Sequence, residues 1–116
     1  MDTRAKILSP DAAPGGCTVV TGYFDVLLAE HVRELKALPR PLLAVVLPLS
    51  GELLPQRARA ELAAGLRMVD YVVIAGDSDA EALCGRLRPA RVVRMEAADA
   101  RRTRQLIEHV RERQTR

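Results

Sequence analysis

The sequence predicts an α/β fold: a parallel sheet of four strands, or five, sandwiched between two layers of helices. Three observations carry this. Strand-like apolar segments recur at residues 18–20, 42–47, 71–74 and 91–95. Between them, apolar residues fall at helical spacing. The run 42–47 is continuous rather than alternating, as expected of a strand covered on both faces of a parallel sheet. Strands that alternate with helices in this way wind through right-handed crossovers and place helices on both sides.

Each element has its own signal. Residues 1–16 are polar and end in Pro14-Gly15-Gly16, which reads as a loosely attached lead-in. Thr18-Val19-Val20 precedes Thr21-Gly22 and is long enough for a buried strand. Val32, Leu35 and Leu38 mark a helix over 30–38 that Pro39 and Pro41 stop. The run 42–47 is closed by Pro48. A second helix is expected over 55–68, with Ala58, Leu62, Leu66 and Val69 inward and Arg57, Glu61 and Arg67 outward. Residues 71–74 form a strand closed by Gly76. Ser78 with Glu81 is a capping box for a helix through Leu87 that buries Ala80, Leu83, Cys84 and Leu87. After the strand at 91–95, Asp99 caps a last helix with Thr103, Leu106, Ile107 and Val110 inward. There is no internal repeat and no low-complexity tract.

Composition narrows the function classes. At 116 residues the chain fits a lead-in (1–16) and one domain (17–116). Hydrophobic residues at 48% and charged residues at 28% exclude wholesale disorder. Aromatics are only 3%, so the core must come from Leu, Val, Ile and Ala. No apolar run approaches the ~20 residues of a membrane-spanning helix, and no charged-then-apolar leader opens the sequence. A soluble, cytoplasmic protein without a membrane partner is the expectation. Cys17 and Cys84 lie far apart with no Cys-x-x-Cys pair, which excludes the usual zinc spacing and a disulfide framework. Cys84 sits on an apolar stripe and reads as a packed core thiol.

The net charge of +3 is concentrated at the C-terminus. There Arg101, Arg102, Arg104, Arg111, Arg113 and Arg116 face only Glu108 and Glu112. A solvated helix face is the ordinary reading, with a nucleic-acid or acidic-partner surface as the alternative. No aromatic lies among the arginines to stack on bases, which argues against single-stranded nucleic acid.

Ligands of doubly wound sheets bind beyond the carboxyl ends of the strands, where the winding reverses. The first loop there reads Thr21-Gly22-Tyr23-Phe24-Asp25-Val26-Leu27-Leu28-Ala29-Glu30-His31. This stretch resembles the first strand–loop–helix of the cytidylyltransferase-like nucleotidyltransferases, and is most similar to the adenylyltransferase domain of ADP-heptose synthase. That pattern is Asn-Gly-x-Phe-Asp-x-Leu-His-x-Gly-His; Gly22, Phe24, Asp25, Leu27 and His31 match it position by position. Arg59 and the helix after it, followed by residues 69–73, look like the family's second helix and third strand. Lys6-Ile7-Leu8-Ser9 is similar to its lead-in.

The resemblance implies a Rossmann-like sandwich with strand order 3-2-1-4, counted from the strand at Thr18. It implies a nucleotide site at Gly22, Phe24, Asp25, His31 and Arg59, with His31 as the residual catalytic group. In such enzymes a sugar phosphate or alcohol phosphate attacks the α-phosphorus of ATP or CTP, with Mg2+, while the helix start and two histidines hold the triphosphate. Positioning and charge stabilisation do nearly all of that work.

The polar positions of this motif depart from the family one after another. Leu28 stands in place of the first His and Glu30 in place of the Gly, so a carboxylate sits where phosphate should bind. Leu47 and Leu49 replace an Asn and an Asp. Arg94-Met95-Glu96-Ala97 replaces a Lys-Gly-Gly-Asp stretch, and the family's fifth strand is missing after it. For His31 the bland alternative is a partly buried helix residue bonded to backbone; for Asp25, a residue that holds the loop through backbone amides. The sequence thus points to a decayed site: a non-catalytic, pseudoenzyme-like module without cofactor, for a protein partner or a homodimer. Leu28, Leu47, Leu49, Leu53 and Leu54 would line the former mouth as exposed leucines. The alternative is a working nucleotidyltransferase that transfers AMP or CMP using His31 alone.

Overall fold

Among the described residues the sheet has five strands, all parallel, ordered across it as residues 7–8, 71–74, 42–46, 18–22 and 91–94. The computed structural model describes residues 3–24, 29–48, 55–76 and 80–96 of the chain. Its elements are β1 (Ile7–Leu8), β2 (Thr18–Gly22), α1 (Ala29–Lys36), β3 (Leu42–Val46), α2 (Gln56–Ala64), β4 (Tyr71–Ile74), α3 (Ala80–Arg86) and β5 (Arg91–Arg94). A 3-10 turn, Thr3–Lys6, leads into β1. The architecture is the predicted Rossmann-like α/β sandwich. The four strands from Thr18 onward stand in the expected order, 3-2-1-4. The fifth comes from the stretch read as a lead-in: Ile7 and Leu8 pair with Val72 and Val73 at the edge of β4.

Winding explains the layers. From β2 the chain steps outward to β3 and then β4, with α1 and α2 on one face. From β4 it returns past β3 and β2 to β5, with α3 on the other face. Because side chains alternate along a strand, each strand feeds both layers. Val20, Leu42, Ala44, Val46 and Val72 pack with Leu35 of α1 and with Ala60, Ala63 and Ala64 of α2. Val19, Leu43, Val45 and Val73 pack with Leu83, Cys84 and Leu87 beneath α3. Strands β2 and β3 are buried along their whole length, which is why residues 42–46 read as a continuous apolar run.

Two expectations about α2 are corrected. The helix ends at Ala64, where the Gly65 N–H donates to the Glu61 and Leu62 carbonyls; Leu66, Met68 and Val69 pack from the turn that follows. Its inward face is Arg59, Ala60, Ala63 and Ala64, while Leu62 is 45% exposed and Ala58 half-buried. Small alanines let the helix lie close on the sheet, and Arg59 turns inward because backbone carbonyls receive it there.

The buried face of α3 is as predicted, with Leu83, Cys84 and Leu87 in the core and Ala80 packed against it. Burial pushes both the Cys17 and Cys84 thiols above their ordinary range, and Cys84 is a core thiol as expected. Gly16 adopts φ +81°, a left-handed conformation that glycine enters without strain, and its N–H donates to the Arg88 carbonyl at the end of α3. The Ser78 cap and the helix expected after Asp99 lie outside the described residues. Among the described residues, no helix is long and apolar enough to cross a membrane.

Candidate functional site

The winding reverses between β2 and β5, so the crevice that doubly wound sheets use for ligands opens beyond Gly22 and Arg94. Gly22 is buried at the end of β2, and its carbonyl accepts the Leu47 N–H at 2.9 Å. Phe24 follows at φ +54°, a left-handed conformation that costs a non-glycine residue about 1 kcal/mol. Its ring, 4% exposed, is packed into the core with α1 and α2, and that burial offsets the strain.

Arg59 fastens this loop from below. The side chain is fully buried, and Nη1 donates at 2.8 Å both to the Tyr23 carbonyl and to the Leu47 carbonyl. One guanidinium thus ties the chain leaving β2 to the chain leaving β3. One helical turn earlier, Gln56 Nε2 donates to the Val46 carbonyl at 2.9 Å and to the Ala75 carbonyl at 2.6 Å. It does for β3 and β4 what Arg59 does for β2 and β3. Residues 56 and 59 share one face of α2, and both serve the carbonyls where the sheet ladder ends. Sequence reasoning missed Gln56 altogether and gave Arg59 to a nucleotide by resemblance. The available signal was two polar residues three apart on a helix that covers strand ends.

On the β5 side, Thr21 is fully buried and its hydroxyl donates to Glu96 Oε2 at 2.7 Å; the Met95 N–H donates to the Thr21 carbonyl at 2.8 Å. Arg94 of β5 pairs with Glu81 of α3 at 2.6 Å. The carboxylate brought to the crevice is therefore Glu96, while the cation beside it is taken up by α3. At the start of α1, Glu30 is exposed in the first turn and His31 is buried at 4% exposure.

The structure gathers Gly22, Phe24 and Arg59 around one loop, with His31 on the helix that follows it. Arg59 does not face the crevice, and Leu47 does not line its mouth as expected. Leu47 is buried in the cluster beneath α3, because its strand runs on into the core. Asp25, Leu28, Leu49, Leu53 and Leu54 lie outside the described residues. Among the described residues, no three of His, Cys, Asp and Glu come together as metal ligands.

The arrangement can hold a loop in one shape. Among the described residues, Arg59 and Gln56 satisfy backbone carbonyls, and Thr21 and Glu96 satisfy one another. Compared with family models and with curated proteins, the chain matches none.

Proposed function

We propose that the protein is a nucleotidyltransferase-like domain with a decayed active site, acting as a non-catalytic module for a protein partner or a second copy of itself. One observation carries this reading. The cation that the resemblance assigns to nucleotide, Arg59, is fully buried and bonded to the Tyr23 and Leu47 carbonyls. Moving it to a phosphate would orphan two carbonyls at a cost of about 1–3 kcal/mol each. Two further features support the same reading. Glu30 puts a carboxylate in the turn whose amides would hold an anion, and Glu96 puts another beside Thr21.

Millimolar ATP or CTP with magnesium is expected to leave the melting temperature unchanged. A nucleotide that bound the native state at ~100 times its dissociation constant would add about 2.7 kcal/mol, a shift read easily in a thermal melt. A saturable rise overturns the decayed-site reading and restores AMP or CMP transfer as the function. The oligomeric state, measured by sedimentation on the same sample, separates a self-associating module from one that needs a partner.

A further inference from the structure

At the other end of the sheet, the turns that enter β3 and β4 leave an open surface cavity of about 270 Å3. Leu38 and Met68 form its floor, and both are continuous with the core beneath α1 and α2. Lys36, Arg40 and Arg67 form its rim. We propose that this cavity binds a small organic anion, a phosphate monoester or a carboxylate carried on a single ring or short chain.

Charge decides the sign of the ligand. Asp70 engages Arg40 through both oxygens and so cancels one of the three cations. The C-terminal ends of α1 and α2 each contribute about half a negative charge here. Lys6, whose Nζ donates to the Leu66 carbonyl at 3.2 Å, adds a further cation beside them, so a positive surplus remains around Lys36 and Arg67. Neither has a carboxylate partner among the described residues. Arg67 offers forked N–H donors that fit the oxygens of phosphate or carboxylate, and Lys36 adds a mobile point charge.

Size and floor decide the rest. Cavities that enclose drug-sized ligands run from roughly 300 Å3 upward, so this one suits a smaller body. Leu38 offers a flat apolar contact, and the unbranched thioether of Met68 adapts to the shape laid on it. An inorganic ion would use the rim alone; an amphiphilic anion uses both.

The test is a backbone-amide NMR titration of the full chain at low salt, with phenyl phosphate, benzoate, inorganic phosphate and benzyl alcohol as separate probes. Phenyl phosphate is expected to shift amides at residues 36–40 and 66–69 saturably in the millimolar range. Inorganic phosphate and benzyl alcohol should each bind several-fold more weakly. The ratio of phenyl phosphate to benzoate then assigns the head group. The double variant Lys36→Ala, Arg67→Ala should weaken phenyl phosphate about tenfold, the factor that two exposed ion pairs together supply. Both side chains are exposed, so the variant keeps its fold and the comparison is direct. Shifts confined to residues 22–31, an absence of saturable shifts, or a double variant that binds as well as the parent overturns the proposal.

Discussion

Replacing Arg59 with alanine is expected to lower the free energy of unfolding by about 3–5 kcal/mol, a large fraction of what a domain this size possesses. Three losses coincide. The Tyr23 and Leu47 carbonyls lose a charged donor at 2.8 Å, and each such bond contributes about 1.5–3 kcal/mol. The long aliphatic stem leaves a void under α2 where Ala60, Ala63 and Ala64 are too small to close in. The Phe24 backbone, held left-handed at φ +54°, loses the bond on its neighbour's carbonyl. Arg59→Lys should fall between the two, since an ammonium carries three donors but its stem is shorter than that of arginine, whose Nη1 reaches both carbonyls. Urea denaturation reads both variants, with the midpoint falling and the slope unchanged. A cost below about 1 kcal/mol for alanine would mean that the loop after β2 holds its shape without Arg59.

The second large effect lies at Asp70, where β4 begins. Its carboxylate accepts the Leu42 N–H at 2.8 Å and the Arg40 guanidinium in a forked pair. The Arg40 hydrogen bonds, and after them the Leu42 N–H, hold this carboxyl below the usual carboxylate range against the opposing effect of partial burial. Arg40 is largely in solvent, so the ion pair itself is screened and adds little. The costly partner is Leu42, fully buried, whose N–H would lose its acceptor. Asp70→Ala should therefore cost about 2 kcal/mol at neutral pH, and Asp70→Asn distinctly less, because an amide oxygen still accepts that N–H.

The pH dependence has a definite sign. A carboxyl whose folded value lies below its unfolded value of about 3.9 stabilises the protein above that value. The contribution fades as pH falls through the folded value. The difference between the parent and Asp70→Asn should thus shrink below about pH 4 and vanish in stronger acid. Chemical denaturation at a series of pH values checks this; a gap that stays constant down to pH 2 would assign the effect to packing.

The strands were legible because burial on two faces leaves no room for polar residues, so residues 42–46 and 71–74 announce themselves. The stripe Leu83, Cys84 and Leu87 was legible for the matching reason on a helix. Three features were hidden. Ile7 and Leu8 make a strand of two residues, too short for any period to register. Leu62 turns outward where hydropathy places it inward, and Arg59, to which hydropathy gave no side, turns inward to strand-end carbonyls. Leu47 follows its strand into the core, although its place in the motif suggested a surface loop. At the candidate site the sequence revealed the departures from a phosphate-binding pattern, but not that Arg59 and Gln56 are spent on main-chain carbonyls. Hydrogen bonds to backbone leave no composition signal, since any carbonyl accepts them.

The edge pairing of β1 has a consequence for the order in which the molecule is made. Ile7 joins Val72, and Leu8 joins Val73, more than half the chain later. Closing a loop of that length costs about 4 kcal/mol of chain entropy, more than a two-residue ladder returns. β1 is therefore expected to dock only after β2, β3 and β4 have assembled and left a finished edge. In refolding, an Ile7→Ala change should accordingly speed unfolding and leave the folding rate untouched, the signature of a contact made after the barrier. Among the described strands, β1 is then the last to join the sheet.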